Sequence, residues 1–176
     1  ELVFAAALHD IGSMSLHERL DTLRFDYEDR TGHGERGYLL LKSNKSFDNI
    51  AKIIRYHHTP WDNGNNIGVN GEQIPLGSHI LNLADRVAVL IKADNNILSQ
   101  ADNIKTRILN LSGHHFAPDI VQAFIKVSKK ECFWLDSISK SIDSFFQNIF
   151  EKEEFDLDED EFEAMVKSFA SIIDFR

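Results

Sequence analysis

The chain has 176 residues, 43% hydrophobic and 27% charged, which is enough for one sizeable core and is the composition of an ordinary globular domain rather than a disordered or membrane one. No apolar run is long enough to span a bilayer. A lone Cys132 excludes an internal disulfide framework and a cysteine-based zinc site, so any metal must be held by carboxylates and by some of the eight His. The net charge of −9 is local: residues 151–163 hold nine acids and one Lys, so the rest is nearly neutral and offers no basic face for a nucleic-acid polymer.

Glu1 opens directly into an apolar helical pattern, with Leu2, Ala5, Ala6 and Leu8 as its buried stripe, so the chain reads as cut from something longer. The stripe ends in the dipeptide His9-Asp10, with Gly12 as a possible helix cap. Residues 15–26 read as a polar amphipathic segment and 26–34 as a loop. A helix is expected from His33, with Gly37, Leu40 and Leu41 on the same face. Ser46 is expected to cap the next helix, whose stripe of Phe47, Ile50, Ile53 and Ile54 ends at His57-His58 before Pro60 stops it.

Residues 61–77 contain four Gly, four Asn and a Pro, an irregular loop of the length that often serves function. The clearest helix follows at about 76–93, with Ile80, Leu83, Val87, Leu90 and Ile91 apolar and Asp85 in its middle. Further helical patterns lie at about 99–112, 118–130 and 136–150, with Pro118 suited to a helix start. Residues 151–176 read as an acidic linker, its run spanning 151–163, and an amphipathic helix over 158–176 carrying Phe162, Met165, Val166, Phe169, Ile172 and Ile173. No strand is expected, and the fold class is all-α.

His9-Asp10 at one helix end, His33 at another helix's start, His57-His58 at a third helix's end and Asp85 inside a fourth form a set of nitrogen and oxygen donors suited to Fe, Mn, Zn or Ni. Each has an ordinary alternative. The dipeptide is also a plain helix end, and Asp85 also suits an ion pair near Arg86. Asn82, one turn before Asp85, fits either a partner of the site or a polar helix edge. Trp61 and Asp62 either contact a base or anchor the loop. His17, His79, His114 and His115 are not expected to be ligands.

The order H-D, H, H-H, D, in the segments ALHDIG, GHGERGYLLL, IIRYHHTPWDNG and GSHILNLADRVAVL, resembles the HD superfamily of metal-dependent phosphohydrolases, and within it the HD-GYP subfamily. The likeness runs over about residues 2–150, including FAPDIVQAF at 116–124. It implies an HD-domain helical bundle over 1–150 in which Asp10 bridges two divalent ions. One ion would take His9, Asp10, Asp85 and a His from an earlier helix not in this sequence. The other would take Asp10, His33, His57 and His58. Asp10 and Asp85 would then be the carboxylates of the catalytic centre, and the substrate would be a cyclic dinucleotide, chiefly cyclic di-GMP, or another phosphodiester.

Three positions depart from the family pattern. Ser13 stands where active HD-GYP members carry Lys, Asn65-Asn66 stand where Gly-Tyr would, and Ala88 replaces a frequent second Asp. FASIIDFR at 169–176 resembles the helix that opens an HD-GYP domain, which makes the chain the expected first half of a tandem protein with a second HD-type domain. This half is then either a phosphodiesterase or a diverged, metal-binding regulatory or dimerisation module. A cytoplasmic setting is expected, with no membrane partner, and a homodimer is compatible with the reading.

Overall fold

Residues 1–26 and 32–139, with scattered positions between 158 and 170, are described in the computed structural model of the chain. Among the described residues there are eight α-helices, three short 3-10 turns and two isolated β-bridges but no strand, so the all-α expectation holds. None of these helices is long and apolar enough to cross a membrane.

Each helix end has a local cause. Helix α1 (Leu2–Leu8) runs into His9. Helix α2 (Leu16–Thr22) starts at a capping box in which the Ser15 hydroxyl accepts from the Glu18 amide and the Glu18 carboxylate accepts from the Ser15 amide. Helix α3 (His33–Leu41) begins directly at His33, after Gly32 takes a left-handed φ of 69°.

The expected Ser46 cap is corrected. Asn44 instead caps a 3-10 turn, Lys45–Phe47, through its Oδ1 and the Ser46 amide, and α4 (Asp48–Arg55) begins after that turn. Helix α4 buries Ile50, Ala51, Ile53 and Ile54 and unwinds before His57-His58, as its stripe predicts.

Helix α5 (Leu76–Leu90) is shorter than expected because Ile91 turns extended and the Gln100 side chain bonds the backbone of Lys92 and Asn95. Helix α6 (Ile97–Leu109) starts two residues early on an Asn96 cap. Pro118 opens α7 (Pro118–Val127), which stops at Ser128, whose carbonyl accepts from the Trp134 indole. Helix α8 spans Glu131–Ser137; of the helix expected at 136–150, residues 140–150 lie outside the described residues, as do 151–157. The described positions at 159–160, 162–163, 166–167 and 170 are helical.

The buried apolar residues fall into two clusters joined by α5. One comprises Ala5, Leu41, Phe47, Ile50, Ala51, Ile53, Ile54 and Leu81; the other runs from Leu83 and Val87 through α6 and α7 to Trp134. Small residues set the spacing in the first. A Cβ on Gly12 would lie 2.1 Å from the His33 carbonyl oxygen and 2.6 Å from the Gly37 amide nitrogen, so the turn after α1 rests directly on the backbone of α3. That contact brings Asp10 to His33.

Candidate metal centre

His9 and His57 are oriented by the same device. A helix leaves its last carbonyls without intrahelical partners, and an imidazole three residues on can donate to one of them. His9 Nδ1 donates to the Ala6 carbonyl at 2.7 Å, and His57 Nδ1 donates to the Ile54 carbonyl at 2.6 Å. In both rings the bond places the proton on Nδ1 and leaves the Nε2 lone pair facing inward.

Asp10 lies between them. Its Oδ2 is 3.3 Å from His9 Nε2 and its Oδ1 is 3.3 Å from His33 Nε2. Oδ1 is buried and receives no well-aligned hydrogen bond. His33 and His57 are fully buried, with their Nε2 atoms 3.3 Å apart. The His58 ring lies 4.0 Å from that of His57 and 4.9 Å from that of His33, centroid to centroid.

One donor atom from each of Asp10, His33, His57 and His58 falls within 4.8 Å of the others. Ligands bonded at about 2.1 Å around one cation stand about 3.4 Å apart, so small side-chain movements would close this group on an ion. The orphaned Asp10 oxygen and the facing imidazole nitrogens fit a divalent cation. Described residues of this chain therefore include a cluster able to hold a metal.

Electrostatics agrees with the geometry. Burial, the largest effect, pushes the His57 imidazole down to about 3, aided by the neighbouring His9 and His33, so it stays neutral and able to ligate. For Asp10, burial by itself would raise the carboxyl, but the adjacent His33 and the fields of His9, His33 and His57 outweigh it and hold the group below its ordinary range.

His9 and Asp85 stand beside the four-residue group, with His9 Nε2 3.8 Å from Asp85 Oδ1. Asp85 also makes the ion pair the sequence allowed, accepting on Oδ2 from Arg86. Asn82 reaches from α5 to the Thr59 carbonyl at 3.4 Å, next to the His pair.

The backbone of Trp61 and Asp62 is anchored. Their amides donate to the carbonyls of His115 and His114, and the Trp61 ring packs edge-on against His79. The loop is pinned again by Asn66, which exchanges bonds with the backbone of Ile74 and pairs with His79 Nε2 at 2.7 Å. His79 is thus occupied in holding the loop. Ser13 is buried, and Ala88 lines an apolar cavity between α5 and α7.

Two arginines hold the surrounding backbone: the sequence points to Arg86 only as an ion-pair neighbour of Asp85 and does not single out Arg36. Arg36 donates to the Gly12 carbonyl and pairs with Glu18, and the buried Arg86 bonds the end of α2. Arg86 had a legible signal, being a second charge beside Asp85 on a largely apolar helix.

A 3'3'-cGAMP-specific phosphodiesterase of Vibrio cholerae is 31% identical to this chain over 157 residues, covering 85% of this chain and 36% of that protein. A cyclic di-GMP phosphodiesterase of Thermotoga maritima is 29% identical over 139 residues, covering 74% of this chain and 38% of that protein. The chain thus spans little more than a third of the length of these curated relatives. A crystal structure of a cyclic GMP-AMP-specific phosphodiesterase of V. cholerae superposes with a TM-score of 0.66 at 18% identity, covering 99% of this chain and 49% of that one, which is a likeness of fold. Residues 1–90, which carry α1, α3, α4 and α5 with every histidine and aspartate of the centre, match the family model of the HD domain, and the chain belongs to that family.

Proposed function

We propose that this chain is an HD-type phosphohydrolase unit acting on a phosphodiester of a cyclic dinucleotide, with two divalent transition-metal ions. Asp10, His33, His57 and His58 would hold one ion, and His9, Asp10 and Asp85 would contribute to the other. The observation that carries this reading is the placement of Asp10, one carboxylate whose two oxygens face His33 and His9 at 3.3 Å each. Two such ions supply Lewis-acid stabilisation of charge on phosphoryl oxygens and acidify water to near neutral pH.

The chain's own residues prepare that chemistry. The Ala6 and Ile54 carbonyls fix the tautomers of His9 and His57, so their lone pairs need no reorganisation. Burial of His33 and His57 excludes water, and it keeps His57 neutral. The Asn66 pin and the amides of Trp61 and Asp62 hold the loop that follows the His pair. The relatives' named substrates, cyclic di-GMP and 3'3'-cGAMP, are the first to test. An HD-GYP-like ancestry, a second HD-type domain in the same protein and a cytoplasmic setting belong to the same reading.

A second reading is favoured by Ser13. The resemblance puts a phosphate-binding Lys there, whereas here the position is a buried Ser. The unit then binds metal but serves as a regulatory or dimerisation module. Elemental analysis combined with a hydrolysis assay separates the two. Metal that disappears in His33→Ala and Asp10→Ala, with turnover of a cyclic dinucleotide, supports the enzyme; the same metal dependence with no turnover supports the module. Stoichiometric metal retained in both variants overturns the assigned centre.

A further inference from the structure

Arg86 is 1% exposed, and an arginine so buried must spend its N–H groups inside the protein. Its Nε and Nη2 donate to Asp85, at 3.1 and 2.6 Å, and both bonds fall on the same oxygen, Oδ2. The remaining donors go to backbone at the end of α2: Nη2 to the Thr22 carbonyl at 2.9 Å, and Nη1 to the carbonyls of Arg24 and Phe25.

The consequence is an asymmetric carboxylate. Oδ2 is held by a rigid guanidinium that is itself clamped to three carbonyls, so Asp85 cannot rotate about its side-chain bonds without breaking this set. Oδ1 is left towards His9 Nε2, 3.8 Å away. Arg86 thus spends its donors on Asp85 and on the end of α2, whereas Asp10, His33, His57 and His58 are brought together by the ends of α1, α3 and α4.

We infer that Arg86 is a positioning residue that presents one oxygen of Asp85 to the ion on the His9 side, and that it does so without affecting the ion on the His33 side. This rests on the two-ion reading above. Lysine could supply the charge at this position, but a single ammonium cannot span Asp85 and three carbonyls together.

The test is a titration of the metal-free full chain with Mn²⁺ in competition with a chelator of known affinity, counting bound ions by elemental analysis. Wild type is read first: two bound ions support the two-ion reading, and one or none overturns that reading and this inference with it. Given two, the second and weaker is assigned to the His9 side, which has three donors against four; Arg86→Gln is expected to weaken that ion about 10- to 100-fold, the usual effect of losing an outer partner of a ligand, and to leave the first, on the His33 side, within about twofold. Arg86→Lys is expected to recover part of the loss. Unchanged binding of the second ion in either folded variant, or equal weakening of both ions, overturns the inference while the two-ion reading stands. Should neither variant fold, the Arg86 Nε–H resonance of ¹⁵N-labelled wild type decides: using diamagnetic Zn²⁺, a shift on the second equivalent alone supports the inference, and no shift on that equivalent overturns it.

Discussion

The two apolar clusters that share α5 are built from different materials. Around the centre the helices meet through small residues, with Ala5 and Ala51 fully buried and Gly12 and Gly37 in close backbone contact with their neighbours. Beyond Leu83 the packing uses large rings, Phe116, Phe124 and Trp134, and leaves an apolar cavity of about 660 Å³ between α5, α7 and α8. Close backbones are what allow donors from four helices to converge within a few ångströms, whereas bulky rings fill volume without requiring such precision. Both halves rest on apolar clusters, but only the first also brings the polar donors together.

The largest effect is expected in the second half. Trp134→Ala should cost about 3–5 kcal/mol in chemical denaturation, since it removes a buried ring and its hydrogen bond to the Ser128 carbonyl. Metal uptake by the folded variant should be unchanged; loss of metal while the protein remains folded would show that the halves are not separable.

Next comes metal itself. An ion bound at a hundred times its dissociation constant should raise stability by about 2.7 kcal/mol, and that increment should vanish in His57→Ala. An equal increment in the variant would place the binding site elsewhere.

Acid should distinguish the halves more gently. His57 stays neutral in the folded protein down to about 3 but takes a proton near 6.5 when unfolded. Between these values only the unfolded state binds that proton, so metal-free protein loses at most about 1.4 kcal/mol per pH unit as pH falls through the window. Burial lowers His79 in the same direction, and the lowered Asp10 adds a loss at more acidic pH, below its unfolded value. Half-buried His115 contributes likewise beside α6. Hydrogen exchange should therefore show α3 and α4 opening before α6 and α7 on acidification, and simultaneous opening would contradict the expectation.

The smallest effect tests a single helix end. Ser15→Ala removes half of the α2 capping box and should cost about 1 kcal/mol, read as a shift in the denaturation midpoint. A negligible shift would mean that the Arg86 and Glu18–Arg36 contacts hold α2 without its cap.

Along the chain, the candidate donors announce themselves more clearly than the elements that carry them. His9-Asp10, His33, His57-His58 and Asp85 were legible because polar donors at the ends or in the middle of apolar stripes are conspicuous against helical periodicity. Helix boundaries were less so: Asn44 rather than Ser46 caps the turn before α4, and α6 starts at Ile97 on an Asn96 cap rather than at 99, since caps and short connections depend on which side chain reaches a free amide or carbonyl.

The sequence by itself determined the all-α class and which Asp and His residues are candidate donors, because these follow from residue types and their spacing. Tertiary structure alone decided that Asp10 faces both His9 and His33, that Asn66 and His79 pin the long loop, that Ser13 is buried, and that Arg86 divides the two oxygens of Asp85. Those relations join residues distant in the chain through backbone approach and single hydrogen bonds, and no local periodicity records them.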